Sequence, residues 1–173
     1  MRSALSVVVS SLRSLSLKKI LKLLSLALSH PLFTLLSLYA TLRTFSIAKR
    51  YFPYTNSTSG VGNAFRHALW CCLILMYCSK ISSPEKARRY CKKFTDLHEE
   101  LFPNEPLEKK MDLHNNSVGI HLYFELLEGV HRQFFETGFF IEHLLIKCRS
   151  AQILDSDHTP EASQLVYLRN END

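Results

Sequence analysis

The segment NAFRHALWCCLILMYCSK at 63–80 constrains the chain more than any other. From Ala68 to Tyr77 every position is apolar, so a helix there is apolar all round and has a stable place only at the centre of a bundle. The same segment opens with Asn63, Arg66 and His67. Burying a polar group without a partner costs roughly 2–7 kcal/mol, and a bare charge costs more. A central helix with this opening therefore obliges the rest of the chain to bring polar partners to Arg66 and His67.

The remaining helices are legible from caps and breakers. LKKILKLLSLAL at 17–28 has apolar residues at 17, 20, 21, 24 and 28 and Lys or Ser at 18, 19, 22 and 25, which is a basic amphipathic helix. Ser29-His30-Pro31 divides the uncharged run 23–42 into two helices, and the second runs from Pro31 to about Arg50. Its apolar positions 32, 35, 36, 39, 42 and 45 or 46 predict a buried stripe. A loop at 51–62 precedes the central helix, with Asn63 as the expected cap. Pro84 and Glu85 open a fourth helix that ends before Pro103. A linker at 102–110 leads to a fifth from about Met111 to Leu127, and a sixth runs from about Phe134 to Lys147. QLVYLR at 164–169 predicts a short strand or a last turn. The expectation is an all-α, single-domain bundle of five to six helices. Residues 1–30 form a peripheral amphipathic segment, 31–150 the helical domain and 151–173 a tail.

Charge is distributed unevenly. The first acidic residue is Glu85, and ten basic residues precede it unopposed in a chain of 21 Lys+Arg and 16 Asp+Glu. A basic, leucine-rich N-terminal half points to an anionic membrane surface as partner. Nucleic acid is not expected, because the cations alternate with Leu and Ser instead of forming a dense cluster. The expected location is the cytoplasm or the cytoplasmic face of the membrane. Cys71, Cys72, Cys78, Cys91 and Cys148 form no C-x-x-C pair and read as reduced core thiols.

Three polar blocks fall on three expected helices: Asn63, Arg66 and His67; His98 and Glu99 within DLHEE at 96–100; and Asp112, His114, Asn115 and Asn116 within MDLHNNSVG at 111–119. Glu99 and Asp112 are the natural carboxylate partners of Arg66 and His67, and Asn115 and Asn116 can donate and accept at once. A histidine beside a carboxylate is a tuned base or a metal ligand. The chemistry these residue types support is hydrolysis, with His67, Glu99, Asp112, Asn115 and Asn116 as catalytic residues. Asn63, Arg66, His98 and His114 are in support, and a divalent metal would be held by His67, Glu99 and Asp112. A membrane-associated or cell-envelope substrate suits the basic start. The alternative is a non-catalytic helical module that docks to a membrane or a protein, its motifs only locking helices together. His114, His121, His131, His143 and His158 show no pairing in the sequence and read as surface or packing side chains, His114 being kept only as a neighbour of the third block.

The ordered blocks NAFRHALW, HE and MDLHNN resemble an uncharacterised bacterial domain family that also occurs at the C-termini of toxin-like secreted proteins. The resemblance spans about 52–120 and implies a shared helical core and a shared site at His67, Glu99, Asp112, Asn115 and Asn116. The Arg66-His67 pair is also similar to the catalytic helix of bacterial phospholipase A2, except that Ala68 stands where that helix carries an Asp.

Overall fold

A helix that is apolar on every side organises the molecule, and in the computed structural model it occupies the middle. The structure describes residues 16–155 and 160–169. Among them are six α-helices: α1 (Leu17–Ser29), α2 (Pro31–Tyr51), α3 (Val61–Lys80), α4 (Pro84–Leu101), α5 (Pro106–Leu127) and α6 (Thr137–Arg149). A 3-10 turn at Arg132–Phe134 precedes α6, and the short strands β1 (Gln152–Ile153) and β2 (Val166–Tyr167) follow it. The helix α3 packs against α2, α4, α5 and α6. Phe65, Leu69, Leu73, Ile74 and Leu75 are fully enclosed along it. Tyr123, Phe135, Phe140 and Leu144 close the core from α5, the 3-10 turn and α6.

Proline sets three of the helix starts. Pro31, Pro84 and Pro106 each occupy the first turn, where a missing N–H costs nothing. At α4, Ser83 Oγ accepts from Lys86 N at 3.3 Å, a conventional cap. The expected linker at 102–110 is shorter than the sequence suggests, because Pro106 and Glu108 start α5 one turn and more ahead of Met111. Asp112 therefore sits inside a helix and caps nothing. Asn63 is likewise no cap: α3 begins at Val61 after Gly60, and the Asn63 side chain is free to bond elsewhere. The last helix starts at Thr137, with Phe134 ending the preceding turn.

The expected buried stripe of α2 is corrected by the structure. Leu32, Leu35 and Tyr39 are exposed, and the face turned to α3 is Ser37, Ala40, Thr44 and Ala48. Small residues let the two backbones approach, so the larger side chains are displaced outward. The helix α1 lies against α2 and the end of α4, where Lys19 Nζ donates to Leu101 O at 2.6 Å and Lys22 pairs with Glu100. No residue of α1 is fully buried. The expectations for residues 1–15 and for His158 fall outside the described residues.

The tightest helix contact is between α3 and α5. A Cβ at Gly119 would stand 2.2 Å from Ala68 O and 2.8 Å from Ala68 Cα, so the two backbones touch. Cys72 Sγ donates to Gly119 O at 3.2 Å beside this contact. The parallel pair β1 and β2 then fastens the tail to α5 and to the 51–62 loop: Asn115 bonds the Val166 backbone, and Leu168 N donates to Ser59 O at 2.8 Å. Gly119→Ala is expected to force the helices apart and destabilise the fold by about 2–3 kcal/mol or more, measured by denaturant melts.

Candidate functional site

His67 lies on α3 immediately before Ala68, so the Ala68–Gly119 contact delivers it to the start of α5. His67 Nδ1 meets Asn116 Oδ1 at 3.2 Å, and Nε2 lies 3.4 Å from Asp112 Oδ1. Glu99, on the last turn of α4, completes the group: one ligand atom from each of His67, Glu99 and Asp112 lies within 4.8 Å of the other two. All three residues are buried.

The protonation states follow from this burial. Loss of solvent, then the nearby Arg66 and His98, push the His67 imidazole well below its ordinary value, against the pull of Asn116. The His67–Asp112 approach is thus a neutral ring beside a carboxyl group and not an ion pair. With the Nδ1 proton given to Asn116 Oδ1, Nε2 carries a lone pair, and it accepts one long contact from Arg66 Nη2 at 3.3 Å. Burial raises Asp112 to about 6 although Arg66 and Asn104 oppose it. Burial and the Asp112 charge raise Glu99 to about 7. Glu99 Oε1 and Asp112 Oδ1 have no hydrogen-bond donor. The Nη2 contact aside, Arg66 Nε and Asn116 Nδ2 are also buried and unpaired, so the cluster gathers polar atoms that its own side chains do not saturate.

Arg66 forms one wall. Its Nη2 donates to Asn63 Oδ1 at 2.5 Å, and the guanidinium lies 5.3 Å from the centre of the Phe45 ring on α2. Asp112 Oδ2 accepts from Asn104 Nδ2 at 3.2 Å, and Ser59 Oγ donates to Glu108 Oε1 at 2.6 Å. Asn63, Arg66, Asn104, Ser59 and Glu108 border a cavity of about 320 Å³ that also touches His67, His98 and Asp112, so all three sequence blocks reach it, although Glu99 itself is not part of its lining. His98 stacks edge-on against Trp70, with ring centres 5.0 Å apart, and burial then Arg66 lower it to about 4. It is a neutral wall residue at ordinary pH.

Several residues expected at the site are elsewhere. Asn115 spends its whole carboxamide on β2, donating to Val166 O at 2.8 Å and accepting from Val166 N at 3.0 Å. Its job is to hold the tail strand, as any backbone-mimicking amide does. His114 Nε2 donates to Gln164 O at 2.8 Å on the same tail. Asn116 touches the site through the Nδ1 side of His67 and orients the ring. Asn104, Glu108 and the 57–59 loop border the cavity without any sequence signal beyond lying in segments read as loop or linker, which is where binding residues concentrate. The cysteines are core groups: Cys71, Cys72, Cys78 and Cys91 are buried, and burial lifts the Cys78 and Cys148 thiols to about 12.

The fold and the site define an all-helical domain with an interior histidine–carboxylate cluster open to a polar cavity. A family model described as a domain of unknown function (DUF6973) matches residues 24–152, and the chain belongs to that family. The matched span contains α2 to α6 and every residue of the cluster, while β2 lies beyond it. No curated protein and no solved structure matches the chain.

Because Glu99 is raised to about 7 from 4.5, the folded state favours its protonated form. Its contribution to stability is complete below about 4.5 and is lost as pH rises through 7. In the presence of a chelator, Glu99→Gln, which mimics the protonated side chain, is expected to melt close to wild type near pH 4.5 and several degrees higher at about pH 8. Thermal denaturation of both proteins across that range measures the difference.

Proposed function

We propose that this protein is a metal-dependent hydrolase whose centre is His67, Glu99 and Asp112. The observation that carries the reading is the convergence of an imidazole nitrogen and two donor-less carboxylate oxygens, buried and within 4.8 Å of one another, beside a cavity. Two carboxylates and one imidazole suit a divalent first-row ion such as Zn²⁺ or Mn²⁺. Bound there, such an ion supplies Lewis acidity for hydrolysis. Asn116 fixes the ring so that Nε2 faces the cluster, the orienting role a metal-bound histidine requires.

The other residues have roles that follow from position. Arg66, propped by Asn63 and Phe45, offers a guanidinium to negative charge on the substrate. Asn104 orients Asp112 through its second oxygen. Apart from Phe102 the cavity borders are polar side chains, so the substrate portion that enters is polar or anionic. A non-catalytic module whose motifs only lock helices would bury these blocks against one another with no void. The cavity between them favours the hydrolase.

The test is direct. Metal analysis and isothermal titration with Zn²⁺ and Mn²⁺ are expected to give one equivalent bound to the full chain. Glu99→Gln and Asp112→Asn should each weaken it about tenfold or more while the far-UV circular dichroism is unchanged. Chelator-sensitive hydrolysis of chromogenic esters or phosphoesters, lost in both variants, is the expected activity. A folded protein that takes up no metal, or hydrolysis that is indifferent to chelator and to both substitutions, would overturn the assignment.

A further inference from the structure

The outer faces of α1 and α2 carry exposed leucines that the hydrolytic site does not explain. An amphipathic helix on a water-soluble core turns its leucines inward and its lysines out. Here Ile20, Leu23, Leu26 and Ala27 are half-buried on the inner side together with Lys19, which donates to Leu101 O, while Leu21, Leu24 and Leu28 face outward beside the exposed Lys18 and Lys22. The pattern continues through the His30 junction: Leu32, Leu35 and Leu38 of α2 are exposed, and Ser37, Ala40, Thr44 and Ala48 are inside. Leu28 is 81% exposed and Leu35 65%. Isolated exposed leucines are ordinary, but six on two consecutive helices leave a contiguous stretch of chain with its apolar side unpartnered among the described residues.

We infer that this face seats the protein on an anionic lipid surface, with α1 and the first half of α2 lying in the headgroup region. Charge decides the occupant. No carboxylate occurs before Glu85, and Lys18, Arg43, Lys49 and Arg50 on these helices are all exposed. A second copy of the same face would bring those cations against their own kind, whereas anionic headgroups complement them. Leucines that enter the interface beside lysines that remain at headgroup level are the arrangement of an in-plane membrane helix. The seat is also close to the catalytic cluster: the α4 residues that hold α1, Glu100 and Leu101, directly follow Glu99, and Phe45 of α2 lies under Arg66. A protein seated this way meets substrate at a membrane surface, and the seating is independent of whether the reaction assigned to the cluster is correct.

Co-sedimentation of the full chain with vesicles tests it, phosphatidylcholine alone against phosphatidylcholine containing roughly 30% phosphatidylglycerol. Binding is expected only with the anionic lipid, weakening between about 50 and 500 mM salt. The variant Leu21→Glu/Leu24→Glu and, separately, Leu35→Glu should each lose about tenfold or more in vesicle affinity. All of these positions are exposed, so circular dichroism and metal uptake are expected to stay at wild-type values. Three results would overturn the inference: no binding to anionic vesicles, binding that the variants retain, or a dimer by light scattering that the variants dissolve without any vesicle binding. Vesicle binding that appears only after deletion of residues 1–15 would likewise overturn it, assigning the face to the chain's own N-terminal segment.

Discussion

The backbone contact of Ala68 with Gly119 is the constraint on which the rest depends. It fixes the register of α3 against α5, and register decides which side chains meet one turn away. His67 precedes Ala68, and Asn116 and Asp112 lie three and seven residues before Gly119. With the helices in contact at that point, the imidazole falls between the carboxamide and the carboxyl group. A larger residue at either position would slide or separate the helices and dissolve the arrangement without touching a polar atom.

What the contact builds is unfavourable as a piece of protein alone. Burial drives both carboxyl groups toward protonation and the imidazole toward neutrality, and Arg66 meets only part of the negative charge. Polar clusters that only lock helices together are normally saturated with hydrogen bonds, since a partly satisfied network is worse than an apolar one. Other buried polar groups of this chain follow that rule. Asn115 satisfies both atoms of its carboxamide on Val166, and Ser79 and Tyr123 share a buried hydrogen bond of 2.6 Å. Among the described residues other unpaired buried atoms are scattered singly, at Arg132 and at the Ser37 and Thr44 hydroxyls, whereas two carboxylate oxygens stand unpaired together only at the cluster, where a bound cation would pair them.

Much of this was legible in the residues. A helix apolar on every side has one place in a bundle, and its Arg-His opening demanded carboxylates from elsewhere. Glu99 and Asp112 were the candidates, and they lie there. Prolines and caps located the helices to within a turn, except where Pro106 began α5 early. The sequence misled where one residue type serves two purposes. Asn115 and Asn116 are adjacent and chemically identical, and only the three-dimensional course of the tail tells that one reads a strand and the other orients a ring. Asn104 had no pattern to announce it. The α2 stripe was read correctly as apolar but lies inside only in part: Leu36 packs against the core while Leu32, Leu35 and Tyr39 face outward, because periodicity identifies a face but not what that face meets. Small residues at 37, 40, 44 and 48 had the better claim to the interior, since they permit close backbone approach.

The central claim is that His67, Glu99 and Asp112 hold a cation together. X-ray absorption at the metal edge of the zinc-loaded full chain addresses it most directly, because the scattering shell reports donor types as well as their number. The account predicts nitrogen and oxygen neighbours at about 2.0–2.2 Å, with a single imidazole contribution and no sulfur. A sulfur shell at about 2.3 Å, which would place the ion on the cysteines of α3 or α4, or a shell of water oxygens with no imidazole signature, would contradict it.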